Sequence, residues 1–321
     1  MAETIVGIDI AKNKFDVALL RGEKTVSGAF KNSPEGFTMF QRWLERHGVE
    51  RIHACMEATG TYGENLAMYL HSADHLVSVV NPARIKGFAQ SELSRTKTDR
   101  VDAALIARFC KAMQPEAWQP LSPDIRELQS LVRRLEALND MLNQERNRLT
   151  ITRGIARESI ERTIRHIETE IDTTKRLIRD HIDSNPDLRN KRDLLESIPG
   201  IGSTTSAMVL AEFGDVTRFH DARCMASFCG LTPRHRQSGT SVRGKSMLSK
   251  TGSSRIRKAL FMPALAAIKY NPVIAAFRAR LIANGKPRML VVGAIMRKLV
   301  HIIYGVLKTG TPFDPSIAAA N

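Results

Sequence analysis

The sequence predicts an α/β domain followed by mainly helical regions, and three observations lead to this fold class. Short apolar runs alternate with amphipathic segments over residues 1–120, as strands and helices do in α/β domains. Leucine and isoleucine recur in heptad steps over residues 121–187, which is typical of long packed helices. Residues 188–321 combine further amphipathic segments with a concentrated run of basic side chains. We therefore expect three domains with these boundaries.

The composition indicates a polyanionic partner. The 321 residues carry a formal net charge of +15, which favours nucleic acid over an acidic membrane surface. Residues 1–3 lack the features of a signal peptide, and the apolar stretch 289–307 is interrupted by Arg297, Lys298 and His301. We therefore expect a cytoplasmic protein without membrane contact. Its cysteines are expected to be reduced and buried: Cys55, Cys110, Cys224 and Cys229.

Five strands and several helices are predicted in the first domain. The strands are placed at residues 4–10, 15–20, 25–30, 52–57 and 76–80, with a turn at 21–23. One helix opens at residues 32–36 and turns Phe37, Phe40, Trp43 and Leu44 to one side; a second starts at 59–61. Asn81 and Pro82 end the fifth strand. Three strands followed by helix, strand, helix, strand and helix is the element order of a ribonuclease-H-like, or junction-resolvase-like, domain.

Four carboxylates fall where that fold gathers its acids. Asp9 lies inside the first apolar strand, where an isolated charge is costly unless a cation holds it. Glu57 ends the fourth strand, and Asp99 and Asp102 are spaced to share one side of a helix. We expect these four to form one divalent-metal site.

Each acid also has an ordinary structural explanation. Asp9 could be a residue of a turn, and Glu57 could be a solvated strand end. Asp99 and Asp102 could favour a helix N-terminus that Thr96 or Thr98 caps. The four together, in fold order, favour the metal site.

The second domain is predicted to be a helical coiled-coil spacer. Its repeats are Leu128, Leu131, Leu135, Leu138, Leu142 and Leu149, followed by Ile160, Ile164, Ile167, Ile171 and Ile178. Residues 150–157, which include Gly154, are the expected reversal. The pattern fits an antiparallel hairpin, a pairing surface for another protomer, or an ordinary pair of bundle helices.

The third domain opens with a helix-hairpin-helix pattern over residues 194–207. Gly200 and Gly202 permit a tight turn, and backbone N–H groups there, with Ser203 and Thr204, suit a phosphate. The alternative is a helix–helix turn without a ligand.

The most basic segment follows at residues 232–258. From Arg234 to Lys258 it has eight Lys or Arg, six serines and no Asp or Glu, and its glycines predict a loop. Such charge suits phosphate binding and an activated serine, although a solvated basic loop remains the alternative. The residues expected to bind nucleic acid are Gly200, Gly202, Ser203, Thr204, Arg234, Arg236, Arg243, Lys245, Lys250, Arg255 and Arg257.

These motifs resemble the insertion-sequence-110 family of transposases, the DEDD recombinases that are guided by a bridge RNA. The resemblance rests on Gly7-Ile8-Asp9, on residues 57–62, 97–103 and 197–202, and on 230–234 running into 238–244. It spans nearly the whole chain and includes every predicted acid.

The resemblance implies that the four acids bind Mg²⁺ and that a serine of the C-terminal transposase domain attacks a DNA phosphate. By position this serine is Ser238, with Ser241 as the alternative. A phosphoserine link to DNA then forms. A structured noncoding guide RNA is implied to pair with donor and target DNA, within a homo-oligomer ranging from dimer to tetramer whose site is shared between protomers.

Three other classes of protein remain to be weighed. A hydrolytic junction-resolvase-like nuclease would need only the acids, and a non-catalytic nucleic-acid-binding protein would need only the charge. An actin-like kinase could also begin with Gly7-Ile8-Asp9, but residues 11–14 lack its glycine-rich phosphate loop.

Overall fold

The computed structural model describes residues 4–22, 24–58, 60, 62–92, 98–234, 237–238, 242–243 and 247–316. The residues at 237–238 and 242–243 are described by their backbone only. The chain divides into two compact units, residues 1–120 and residues 121–321.

The first unit is built on a five-stranded mixed sheet. Its elements are β1 (Thr4–Ile10), β2 (Lys14–Arg21), β3 (Lys24–Lys31), α1 (Pro34–Arg46), β4 (Ile52–Glu57), α2 (Glu64–Ser72), β5 (Leu76–Val80), α3 (Pro82–Ser91) and α4 (Asp99–Met113). The strand order is β3-β2-β1-β4-β5, with β1, β2 and β3 antiparallel and β4 and β5 parallel to β1. The predicted order of strands and helices is therefore confirmed.

One helix has a cap that the sequence did not predict, and another starts later than predicted. Asn81 does more than end β5, because its side-chain oxygen accepts a hydrogen bond from the Ala83 N–H at 2.8 Å and so caps α3. The second helix begins at Glu64 rather than at residues 59–61, and Thr59 and Thr61 lie outside the described residues.

The sheet separates a large core from a smaller one. Val6, Ile8 and Phe15 point to the side where α1 and α2 pack, and the predicted helix residues Phe37, Phe40 and Leu44 are buried there. Trp43 is partly buried against the same core. On the opposite face α4 covers β1 and β2. This second face carries the polar residues discussed below.

The second unit is mainly helical. Its helices are α5 (Pro123–Ile151), α6 (Ile155–Ser184), α7 (Pro186–Glu196), α8 (Ser203–Phe213), α9 (Ala222–Phe228), α10 (Ser254–Ala259), α11 (Phe261–Tyr270), α12 (Pro272–Ala283) and α13 (Arg288–Thr309). Between α9 and α10 the described residues form four two-residue strands: β6 (Pro233–Arg234), β7 (Gln237–Ser238), β8 (Val242–Arg243) and β9 (Met247–Leu248).

Helices α5 and α6 form an antiparallel hairpin. The ion pair of Arg146 with Glu168 at 2.8 Å lies near the reversal, and His181 Nε2 lies 2.9 Å from the Asp124 carbonyl at the other end. Most of the predicted heptad residues are buried, together with Val132, Thr174 and Ile182, which the repeat did not include. Leu131, Leu149 and Ile160 are partly buried. Helix α8 also packs on α5, so the chain itself covers the seam.

Helix α13 lies inside the second unit. Among the described helices it is long and apolar enough to cross a membrane, and the bent pair Ser254–Tyr270 and Pro272–Ala283 would count as a second such segment. More than half of its apolar window is buried, and it packs on α7, α9, α11 and α12, as a core helix does. Cys55, Cys110 and Cys229 are buried as predicted, but Cys224 is exposed because it lies on an open side of the short helix α9.

Candidate active site

Three carboxylates form a row across neighbouring strands of the sheet. Asp9 of β1 is paired directly with Asp16 of β2. Strands β1 and β4 pair as far as Ile8 and Met56, so Glu57 follows beside Asp9. Because side chains alternate along a strand, Asp9 lies on the same face as Gly7, which is the face that α4 covers.

Gly7 brings α4 unusually close to this row. A Cβ atom at Gly7 would lie 2.2 Å from both the Ala103 carbonyl oxygen and the Ala107 nitrogen, so only glycine permits the contact. Thr98 caps α4 by accepting a hydrogen bond from the Val101 N–H at 3.3 Å. The first turn of α4 carries Asp99 and Asp102 and is thereby held near Asp9.

These carboxylates lie close enough to repel one another electrostatically. The pKa of Asp9 is raised from 3.8 to about 6, first by burial and then by repulsion from Asp102, Asp99, Glu57 and Asp16, in that order. The structure therefore places the four predicted acids together. It adds Asp16, which the sequence analysis did not include.

Lys14 is a cation within this cluster. Its Nζ lies 2.7 Å from Asp99 Oδ2 and 3.0 Å from Asp16 Oδ2, with half of the side chain exposed. The ammonium group lowers the pKa of Asp99, and the two carboxylates raise the pKa of Lys14. The turn between β1 and β2 places Lys14 here, but only the observed pairing of the two strands reveals it.

The carboxylate oxygens are the donors that Mg²⁺ prefers. Among the described residues, however, no three Asp, Glu, His or Cys side chains converge closely enough to hold a metal ion as they stand. Asp99 is turned to Lys14 instead. The donor set fits a hard divalent cation by chemistry, and its side chains would have to turn inward to bind one.

The predicted helix-hairpin-helix segment is α7, a turn at 197–202, and α8. Gly200 has a φ of +104°, and a Cβ atom there would lie 2.8 Å from the Ala267 nitrogen, so this glycine serves packing on α11. Gly202 precedes α8 without a side-chain cap, and Ser203 and Thr204 are exposed. Exposed backbone N–H groups at a helix start are suited to a phosphate.

The described part of the basic segment contains short strands where the sequence predicts a loop. Strand β6 pairs with β9, and β7 pairs with β8, because antiparallel pairing satisfies backbone groups that a loop would leave to water. Ser238 lies opposite Val242, and we call residues 233–248 the serine hairpin. Arg236, Ser241 and Lys245, and the side chains of Ser238 and Arg243, lie outside the described residues. Arg234 and Lys250 are exposed.

Two arginines expected to bind nucleic acid have partners within the chain. Arg255 pairs with Glu136 at 3.2 Å and with Glu212 at 3.8 Å. The Arg257 guanidinium donates to the Cys229 carbonyl at 3.0 Å, beneath the turn that contains Gly230. Both side chains thus stabilise the fold, and contact with nucleic acid would require them to share these bonds.

Comparison with known proteins places these features in a family. A transposase family model matches residues 6–152, and a model described as transposase IS116/IS110/IS902 family matches residues 192–279. The pilin gene-inverting protein of Moraxella bovis is 37% identical over 320 residues, 99% of each chain. The transposase for insertion sequence element IS1111A of Coxiella burnetii is 24% identical, covering 83% of this chain and 78% of its own.

One solved structure is also similar in part. RuvC of T. thermophilus in complex with a Holliday junction substrate matches 35% of this chain and 96% of its own, at 13% identity. Its TM-score of 0.28 is too low to establish a shared fold. The family models and the Moraxella relatives carry the assignment: the chain belongs to the IS116/IS110/IS902 family of transposases and is a DNA recombinase.

Proposed function

We propose that this chain cleaves and rejoins DNA through a phosphoserine link at Ser238, with a divalent cation, Mg²⁺, held by Asp9, Glu57, Asp99 and Asp102. A structured guide RNA selects donor and target DNA by base pairing. The active assembly is a dimer to tetramer in the cytoplasm. The domains act as a metal domain (1–120), a helical spacer (121–187) and a transposase domain (188–321).

The gathering of acids on the α4-covered face carries this proposal. In a chain with a net charge of +15, mutually repelling carboxylates around Asp9 are unfavourable for folding alone. Groups with perturbed pKa values concentrate at functional sites. Gly7 lets α4 approach this row so closely that Asp99 and Asp102 join it.

The chemistry needs residues of both units. Ser238 Oγ forms a bond to phosphorus while the bond to one deoxyribose oxygen breaks, and the Oγ proton passes to solvent or to the leaving oxygen. When bound, a divalent cation would polarise the phosphate and stabilise the leaving oxygen. The basic side chains around the serine hairpin, such as Arg234, hold the backbone phosphates. One phosphoester replaces another, so an incoming hydroxyl can reverse the step without ATP.

The names of two relatives support strand rejoining rather than hydrolysis. The Moraxella proteins are named for inverting a gene, and an inversion needs broken strands to be rejoined in a new order. Guidance by RNA rests on the family resemblance and on the charge excess, which suits backbone binding more than base reading.

The test is a denaturing gel with labelled DNA, guide RNA and Mg²⁺. We expect a covalent protein–DNA adduct that Ser238→Ala and Asp102→Asn each abolish, while binding to RNA and DNA is largely kept. Mixing the two variants should restore some adduct if protomers share the site. An adduct that is lost in Ser241→Ala but kept in Ser238→Ala would move the nucleophile. Cleavage without any adduct would support the hydrolytic nuclease.

A further inference from the structure

A cavity lies at the base of the serine hairpin. It has a volume of about 480 Å³, within the range of roughly 300–1,000 Å³ typical of small-molecule sites. Pro233 and Leu248, which pair across β6 and β9, form one wall. Helices α12 and α13 form the remainder through Phe277 and Leu290. We call this cavity the hairpin-base pocket.

The pocket has an apolar interior, and the charged side chains among its described lining residues are all cationic. Leu231 and Phe277 line it, and Met289, which is 69% exposed, leaves an apolar surface open to solvent at the rim. Lys250, Arg297 and Lys298 also line it, and the described lining residues include no carboxylate. Such a pocket is complementary to an anion that carries a flat apolar group.

Two of its polar groups are unsatisfied or crowded. The Nε2 atom of His301 is buried and has no hydrogen-bond partner among the described residues. Burial and the nearby Arg280 lower the pKa of Lys298, so an anion beside this ammonium would be favoured. Arg297 is held in place by a 3.3 Å hydrogen bond that it donates to Thr232 Oγ1. A ligand with acceptor atoms would compensate Lys298.

We propose that the hairpin-base pocket binds one nucleobase, unstacked from the DNA strand held at the serine hairpin. The base would lie against Phe277 and the leucines, and its acceptors and the adjoining phosphate would face Arg297 and Lys298. Enzymes that modify a DNA base extrude its nucleotide into a pocket in this way. The identity of the strand rests on the proposed function, whereas binding of a base does not.

The first experiment uses single deoxynucleotides and therefore needs no cleavage activity. Saturation-transfer NMR on the full chain is recorded with each of the four deoxynucleoside monophosphates and with 2-deoxyribose 5-phosphate, which has no base. We expect transfer to base protons of at least one nucleotide and little to the sugar phosphate. Ala294→Phe, which fills the pocket, should remove the transfer, and Ala283→Phe on the exposed end of α12 should keep it.

Leu290→Glu is a second variant, used in case the phenyl ring of Ala294→Phe disturbs folding. It introduces a carboxylate at a position that is 40% exposed, and it should also remove the transfer by repelling the phosphate. Equal transfer to the sugar phosphate would reduce the site to an anion site. Transfer unchanged in both pocket variants, or absent from the unmutated chain, would overturn the proposal.

The second experiment places the base within the reaction. Abasic nucleotides are scanned through the DNA around the cleaved phosphate, and adduct yield is measured. In the unmutated chain, removing the base at one position should lower the adduct yield about tenfold, as expected for one stacked base. In Ala294→Phe, whose pocket is already filled, removing the same base should lower the yield almost no further. Equal losses of adduct in the unmutated chain and in Ala294→Phe would show that the pocket does not hold the base. No adduct from the unmutated protein with intact DNA would count against the phosphoserine mechanism and leave the NMR result standing.

Discussion

Replacing Asp9 by asparagine should stabilise the metal-free protein. The carboxylate has a pKa of about 6 in the folded chain against 3.8 ordinarily, so the folded state holds the proton more tightly than the unfolded state does. The penalty for charging Asp9 is absent below about pH 4, develops as the pH rises, and is complete above about pH 6. A shift of this size corresponds to at most about 3 kcal/mol.

The expected gain for Asp9→Asn is therefore about 1–3 kcal/mol near pH 8 and close to zero near pH 4. It is measured by urea unfolding with a chelator present at both pH values. Glu45→Gln is the matched control, because Glu45 is an exposed acid on α1 and its loss changes net charge by the same amount. If Asp9→Asn gains no more than this control near pH 8, the carboxylates do not repel one another as described.

The same variant should lose its response to metal. Excess Mg²⁺ stabilises a protein that binds it only when folded, so the unmutated chain should gain stability and Asp9→Asn should gain little. DNA cleavage should be abolished, with RNA binding largely kept. A more stable but inactive variant is the usual result when a site is kept under strain for function. Full cleavage by Asp9→Asn in Mg²⁺ would remove the metal-site hypothesis.

Three further predictions concern the packing around this site and the hairpin. Gly7→Ala should lower the free energy of unfolding by about 1–3 kcal/mol or more and weaken metal binding, because α4 must move away. The control Gly87→Ala, in the open helix α3, should leave this free energy unchanged or raise it in urea unfolding. Lys14→Met should tighten Mg²⁺ binding in a thermal-shift titration, since Lys14 competes for Asp99; weaker binding would contradict this. Leu135→Asp plus Leu138→Asp should unfold the hairpin, whereas Ile151→Asp plus Ile155→Asp at its exposed tip should lower only assembly in sedimentation.

The sheet was predictable because its signals are local. Each strand is a short apolar run, and Gly, Asn and Pro residues mark where the chain turns. Asp9 and Glu57 could be selected because a charge inside or directly after such a run is unusual. Asp16 could not, since its membership of the site depends on the antiparallel register that places it opposite Asp9.

The helical unit was less predictable because the heptad repeat does not say what covers the seam. Leu135 and Leu138 are buried within the chain, with α8 packed on α5, so the seam does not need a second protomer. Surface charge was similarly ambiguous. Arg255 and Arg257 belong to the most basic segment, yet carboxylates and carbonyl groups far away in sequence bind them.

In the proposed mechanism the acids and the serine belong to different compact units, and this would affect control of the reaction. Residues 234–258 contain no Asp or Glu, so the serine hairpin has no acid of its own to complete the site. The acid cluster in turn is part of a separate compact unit, where Lys14 is bound to Asp99. Under the proposed mechanism, neither half is therefore a complete catalyst. If each half is completed only when protein, RNA and DNA have assembled, cleavage is tied to that assembly, and free protein leaves other DNA intact.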